Sequence, residues 1–140
     1  MKALLKRLAV TSARSADLGL LLLRLTFGIT MAASHGYGKV MNLGDFSATV
    51  ASKGIPLASV LGPLAGLGEF LGGVLVAVGL FTRIGAAAIL CTMLVAAFHI
   101  HAADPFGRKE LALLYAFASL AILLSGPGRY SLDHRLLHRS

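Results

Sequence analysis

The sequence predicts an all-α fold: an integral membrane bundle of four helices, forming one domain over residues 1–140. Three observations predict it. The chain is 56% hydrophobic and only 14% charged, with a mean hydropathy of +0.80. A soluble domain of this length has too much surface per volume to hide that much apolar area. The apolar residues also fall into four runs separated by short polar breaks. Finally, the basic residues flank those runs, as they do in membrane proteins. Together these exclude a soluble enzyme and a disordered chain. The net charge of +7 does not indicate a nucleic-acid binder, because no aromatic residues interleave with the basic ones to stack bases.

The spans follow in order as residues 18–38, 57–80, 84–103 and 105–125. The first three have the 20 or so residues needed to cross the hydrocarbon layer. The fourth is a shorter apolar run, 111–125, that Asp104 as N-cap and Pro105 as first helical residue extend outward. Gly126-Pro127-Gly128 stops it. Backbone groups in lipid must pair within their own segment, so these spans are helices. Gly62-Pro63 predicts a kink or a late start in the second span. Residues 2–14 and the segment between spans one and two read as short amphipathic interfacial helices; Phe46 and Val50 share a face in the latter. Gly62, Gly66, Gly68 and Gly72 permit close helix packing in the second span. A cleaved signal peptide is not expected, since the first apolar run is too long for one.

With both termini on one side, that side holds Lys2, Lys6, Arg7, Arg14, Arg83, Arg129, Arg135 and Arg139, against Lys39, Lys53, Arg108 and Lys109 on the other. The majority faces the cytoplasm. Arg24 remains, inside the first span, and Glu69 stands near the middle of the second. A charge in the bilayer costs at least about 2.5 kcal/mol, so each needs a reason. Axial depth brings the two within an arginine's reach, and an Arg24–Glu69 pair is expected, acting as a clamp between helices or as a proton or substrate site.

Arg24, Gly28, Met31, His35 and Lys39 recur at helical spacing and share one face. His35, Lys39, a histidine of the third span (His99 or His101) and Glu110 are expected to converge on an outward-facing polar pocket. Such a pocket would suit a quinone: histidine and lysine hold the carbonyl oxygens, a carboxylate moves protons, and apolar helices take the tail. The expected roles are Glu69 and Glu110 as proton-transferring catalytic groups, with Arg24, His35, Lys39 and His99 holding the cofactor. Metal ligation is the rival, but no HxxxH or Glu-x-x-His spacing falls within the spans and no metal ligand is assigned. His101 reads equally well as an ordinary interfacial residue. His134 and His138 sit in the basic tail. Cys91, the one cysteine, lies inside an apolar run and is expected to be an inert packing residue.

Several pieces then match a known pattern in order: Leu22 to Gly28 with Arg24, His35-Gly-Tyr-Gly-Lys39, Gly54-Ile-Pro56, Glu69-Phe-Leu-Gly-Gly73, Gly79-Leu-Phe-Thr-Arg83, Glu110 to Tyr115, and Gly126-Pro-Gly-Arg-Tyr-Ser-Leu-Asp133. In this the chain resembles the DoxX family of small four-helix membrane proteins. The resemblance implies a multi-pass protein of the prokaryotic inner membrane, linked to redox chemistry. The family's namesake is the small subunit of an archaeal enzyme that oxidises thiosulfate with quinone as acceptor. Other similar proteins are tied to catechol, quinone or thiol-oxidative stress. Arg24, Lys39, Glu69 and Glu110 match recurrent charged positions of that family, without assigned roles. The chain carries no motif for flavin, haem or nicotinamide, so electron transfer would require quinone or a partner's cofactor. The first reading is therefore a quinone-linked subunit of a redox complex, working with lipid and one or more protein partners, with oligomerisation left open. The alternatives are a non-catalytic accessory or assembly subunit and, third, a small transporter.

Overall fold

The structure is a computed structural model that describes residues 12–137. Six helices follow one another: α1 (Ala13–Met41), α2 (Leu43–Ser52), α3 (Ala58–Val78), α4 (Thr82–Ile100), α5 (Phe106–Ser125) and α6 (Leu132–Leu137). No strand occurs among the described residues. The interfacial helix expected over residues 2–14 falls almost wholly outside them.

Local chemistry sets the boundaries. Ser12 caps α1, its hydroxyl accepting from the Ser15 N–H at 3.1 Å. Gly79, at φ 73°, ends α3 in the left-handed region that favours glycine, and its N–H closes on the Leu75 carbonyl. Two non-glycine residues, Leu57 and Phe81, take positive φ immediately before α3 and α4. Two turns therefore reverse the chain within a few residues, and α3 runs antiparallel to α4.

Three helices are long and apolar enough to cross a membrane: α1 with 29 residues, α3 with 21 and α4 with 19. The shortest is about 28 Å long, matching the hydrocarbon thickness. Large apolar side chains such as Leu22, Leu64, Ile84 and Phe98 point outward, as a lipid-facing surface requires. The 20-residue α5 packs along α4 and carries Arg108, Lys109 and Glu110 in its first turns.

α3 is the hub. Its glycines face three neighbours. A Cβ at Gly73 would come within 2.7 Å of the Gly28 carbonyl oxygen of α1, one at Gly72 within 2.9 Å of the Gly85 carbonyl oxygen of α4, and one at Gly62 within 2.9 Å of the Ser47 Cα of α2. These are backbone-on-backbone contacts that only glycine permits. Phe27, Met31, Val76, Ile89, Met93 and Ile122 fill the core between the helices.

Three features depart from expectation. The α-helical ladder of α1 is interrupted by a π segment over Met31–Gly36, and that of α4 by one over Ala96–Ile100. The Tyr37 N–H reaches back five residues to Ala32, and the His101 N–H five residues to Ala96. Each segment accommodates an extra residue and turns everything beyond it. The second departure is the start of α5. Asp104 does not cap it; Pro105 occupies the N-cap position without a side-chain hydrogen bond. Asp104 is engaged instead by His101, at 2.7 Å. The late start expected from Gly62-Pro63 is also absent, since α3 begins at Ala58 and runs through Pro63. The helix expected between the first two spans exists as α2, where Val50 is buried and Ser47 rests on the Gly62 notch of α3.

Candidate functional site

Charged groups in the apolar interior form two separate clusters, at opposite ends of the molecule.

The first surrounds Arg24, which is fully buried. Its Nη2 donates to the Tyr130 carbonyl at 2.7 Å, while Nε and Nη1 have no hydrogen-bond partner. The guanidinium lies against Gly79 and Ser131, where a Cβ at residue 79 would collide with Nη1. Tyr130 and Ser131 belong to the segment between α5 and α6, which folds back beneath the helices. In the first turn of α6, the Asp133 carboxylate accepts from the Phe81 N–H at 2.8 Å, the Thr82 N–H at 3.0 Å and the Thr82 hydroxyl at 2.8 Å. It thereby caps α4 and stabilises the strained Phe81 turn. The Asp133 N–H in turn donates to the Gly79 carbonyl at 2.8 Å, and the Arg129 N–H to Asp17 at 3.1 Å. Burial alone would raise the Asp133 carboxyl, but the Thr82 and Phe81 hydrogen bonds and the nearby Arg24 charge outweigh it and hold it below the ordinary carboxylate value. This segment seals the end of the molecule where the N-terminal end of α1 also lies.

The second cluster corrects the expected pairing. Glu69 does not meet Arg24. It meets Lys39, whose Nζ donates to both carboxylate oxygens at 2.6 Å. The Glu69 side chain is 3% exposed and that of Lys39 28%. The reason is reach and register. Lys39 stands beside Gly66, where only a hydrogen occupies the α3 surface, so its stem approaches closely and its ammonium covers the next turn. Arg24 points the other way, into the sealed end. The Lys39 ammonium also lies 4.9 Å from the centre of the Phe46 ring.

Lys39 and Glu69 line a cavity of about 720 Å³ enclosed by α2, α3 and α4. Its walls are largely aliphatic, from Val50, Ile55, Leu61, Leu64 and Val95. Polar groups occupy two poles. One is the Lys39–Glu69 pair with Thr92; the other is His99 and His101. The His99 Nε2 donates to the Lys53 carbonyl at 3.2 Å, tying the end of α4 to the loop after α2. His101 bonds Asp104, holding that carboxyl below its usual range.

Of the expected site residues, Lys39, Glu69 and His99 therefore come together around one cavity. Arg24, His35 and Glu110 do not line it. His35 stacks edge-on against Tyr115, with ring centres 5.1 Å apart. Glu110 is exposed on α5. Cys91 corrects another expectation: it is an exposed wall residue of the cavity and not a packed interior one. No group of three or more histidine, cysteine or acidic side chains suited to a metal occurs among the described residues.

Spacing alone does not reveal α2 as a cavity wall, nor Phe46, Cys91 and Thr92 as lining residues. The available signal is the small-residue notch Gly62–Gly66, which marks where another helix must lie.

The DoxX family pattern matches residues 19–102, which includes the helices that build the cavity. The chain belongs to the DoxX family. Over 103 residues it is 34% identical to the uncharacterised membrane protein Rv3486 of Mycobacterium tuberculosis, covering 62% of each chain. It thus spans less than two thirds of that relative's length. No solved structure matches it. With three helices of spanning length and this family membership, the chain is a membrane protein.

Proposed function

We propose that this DoxX protein is a membrane-embedded, quinone-linked subunit of a redox system, with the α2–α3–α4 cavity as its ligand site. The observation that carries the reading is the Lys39–Glu69 pair at one pole of a large, mostly aliphatic cavity. An ammonium has three donors. Two are given to Glu69, and the third can meet a carbonyl oxygen. His99, whose Nε2–H is already given to the Lys53 carbonyl, leaves Nδ1 at the other pole as an acceptor for the hydroxyl of the reduced quinol. Glu69, beneath Lys39, would take or supply the proton when that oxygen changes charge. Arg24, His35 and Glu110 have no part in this site.

All four long helices span the membrane in this reading, as one domain. The end carrying the Arg24 cluster faces the cytoplasm, as the eight-to-four distribution of lysine and arginine supports. The prokaryotic inner membrane is the location, and one or more partner proteins supply the electrons.

The test is quinone binding by the protein in lipid nanodiscs. Lys39→Met and Glu69→Gln should each weaken binding about tenfold or more, the worth of one charge-assisted hydrogen bond. Asp45→Asn, an exposed acidic residue outside the cavity lining, should leave it unchanged. Equal binding in all variants overturns the reading. The rival, a non-catalytic accessory subunit, draws on the fact that the pair joins α1 to α3. It requires Glu69→Gln to lower protein abundance while leaving turnover per assembled complex intact.

A further inference from the structure

We infer, resting on that reading, that the ligand enters the cavity sideways from the hydrocarbon, through a window between Leu64, Cys91 and Val95. Its tail lies in that window while its acceptor head reaches Lys39.

All three window residues line the cavity. All three are also open to the molecule's outer surface: Leu64 is 59% exposed, Val95 is 47% exposed and Cys91 is exposed. Their depth places this opening in lipid. Cys91 is the midpoint of α4, which runs from Thr82 to Ile100. Leu64 lies about 9 Å inside the start of α3, and Val95 about 7 Å inside the end of α4.

The other approach is polar. At the Ile100 end of α4, the exposed His99–Lys53 hydrogen bond bridges α4 to the loop after α2, and Lys53, His99 and His101 line that mouth. A long apolar tail would meet these polar groups there. From the hydrocarbon, a ligand meets Leu64, Val95 and the Cys91 thiol on its way in, and no charged group. Gly68 keeps the passage open. It faces Ala88 and Thr92 at ordinary van der Waals distance, so no close backbone contact demands a glycine there, and any larger side chain would narrow the cavity. The wall chemistry therefore selects a lipid-soluble molecule with a hydrogen-bond-accepting head and a long apolar tail.

The experiment uses the full-length protein in nanodiscs with two probes. One is a long-tailed quinone bearing a photoactivatable diazirine on the tail beside the ring. The other is a tail-less quinone of the same ring. The tail probe should crosslink to residues 61–68 of α3 and 91–95 of α4, and excess unlabelled long-tailed quinone should suppress the crosslinks. Leu64→Trp adds bulk at a lipid-exposed position, so the fold should tolerate it. It should weaken long-tailed quinone about tenfold, since each CH₂ displaced from an apolar contact counts, and leave the tail-less quinone unchanged. Crosslinks on residues 53–56 without any on residues 91–95 overturn the lateral route, as does a Leu64→Trp variant that binds both quinones normally. If neither quinone binds the unaltered protein, the quinone reading itself falls, and this inference with it.

Discussion

The two charged clusters use the same kind of group in opposite ways. At the Arg24 end, chain surrounds the charge: Gly79, the Tyr130 carbonyl, Ser131 and the Asp133 cap leave no space beside it. At the Lys39–Glu69 end, the pair stands at the edge of about 720 Å³ of cavity. An enclosed charge can only hold structure. A charge beside empty space can also meet a ligand. The proposed reading places fold and function at different ends, and substitutions should separate them.

The largest effect is expected at the sealed end. Arg24→Ala removes the donor to the Tyr130 carbonyl and leaves a void under the returning segment, with a loss of about 3 kcal/mol or more. Thermal unfolding in detergent would show it, and a fall of only a few tenths would erase the distinction between the ends. Gly79→Ala should follow, at about 2 kcal/mol, because φ is positive there and a Cβ meets the Arg24 guanidinium. Asp133→Asn should cost about 1–2 kcal/mol through weaker capping of α4. Its pH dependence has a definite sign. The folded carboxyl lies below its unfolded value, so the stabilisation is complete above the unfolded pKa and is lost as pH falls through the folded one. The wild type should lose stability below about pH 4, and Asp133→Asn should flatten that slope. Glu69→Gln should be smallest in stability, at under about 1 kcal/mol, because Lys39 remains partly exposed, yet largest in quinone binding. If Glu69→Gln unfolds the protein as readily as Arg24→Ala does, the open pair is a clamp after all.

The spans were legible because lipid imposes a simple rule on composition, and α1, α3 and α4 lie close to where hydropathy places them. Arg24 and Glu69 stood out for the same reason, and Lys39 because it shares a helical face with Arg24. Their pairing was not legible. Axial depth alone puts Arg24 within reach of Glu69, but depth ignores rotation, and the π segment of α1 changes rotation between residues 31 and 36. The return of the last segment beneath α1 depends on contacts such as Tyr130 with Arg24, more than a hundred residues apart, which periodicity cannot carry. Asp104 reads as a cap from its place before Pro105; only the structure brings His101 close enough to claim it. Glu110 looked like a site residue because it shares an end of the molecule with the histidines. It stands on α5, which does not border the cavity.

The π segment over Met31–Gly36 makes the Lys39–Glu69 pair a matter of counting. One surplus residue is absorbed there, upstream of Lys39. Deleting the exposed Ala33 would let the segment relax to ordinary α-helix and turn everything beyond it by about 100°, one residue's share of a turn. The composition and hydropathy of the helix would barely change. The lysine, however, would swing away from the carboxylate, leaving Glu69 bare at the cavity wall. The Lys39–Glu69 pair therefore depends on chain length as strictly as on residue identity, and a relative lacking that single residue would need its cation at a different position in the sequence.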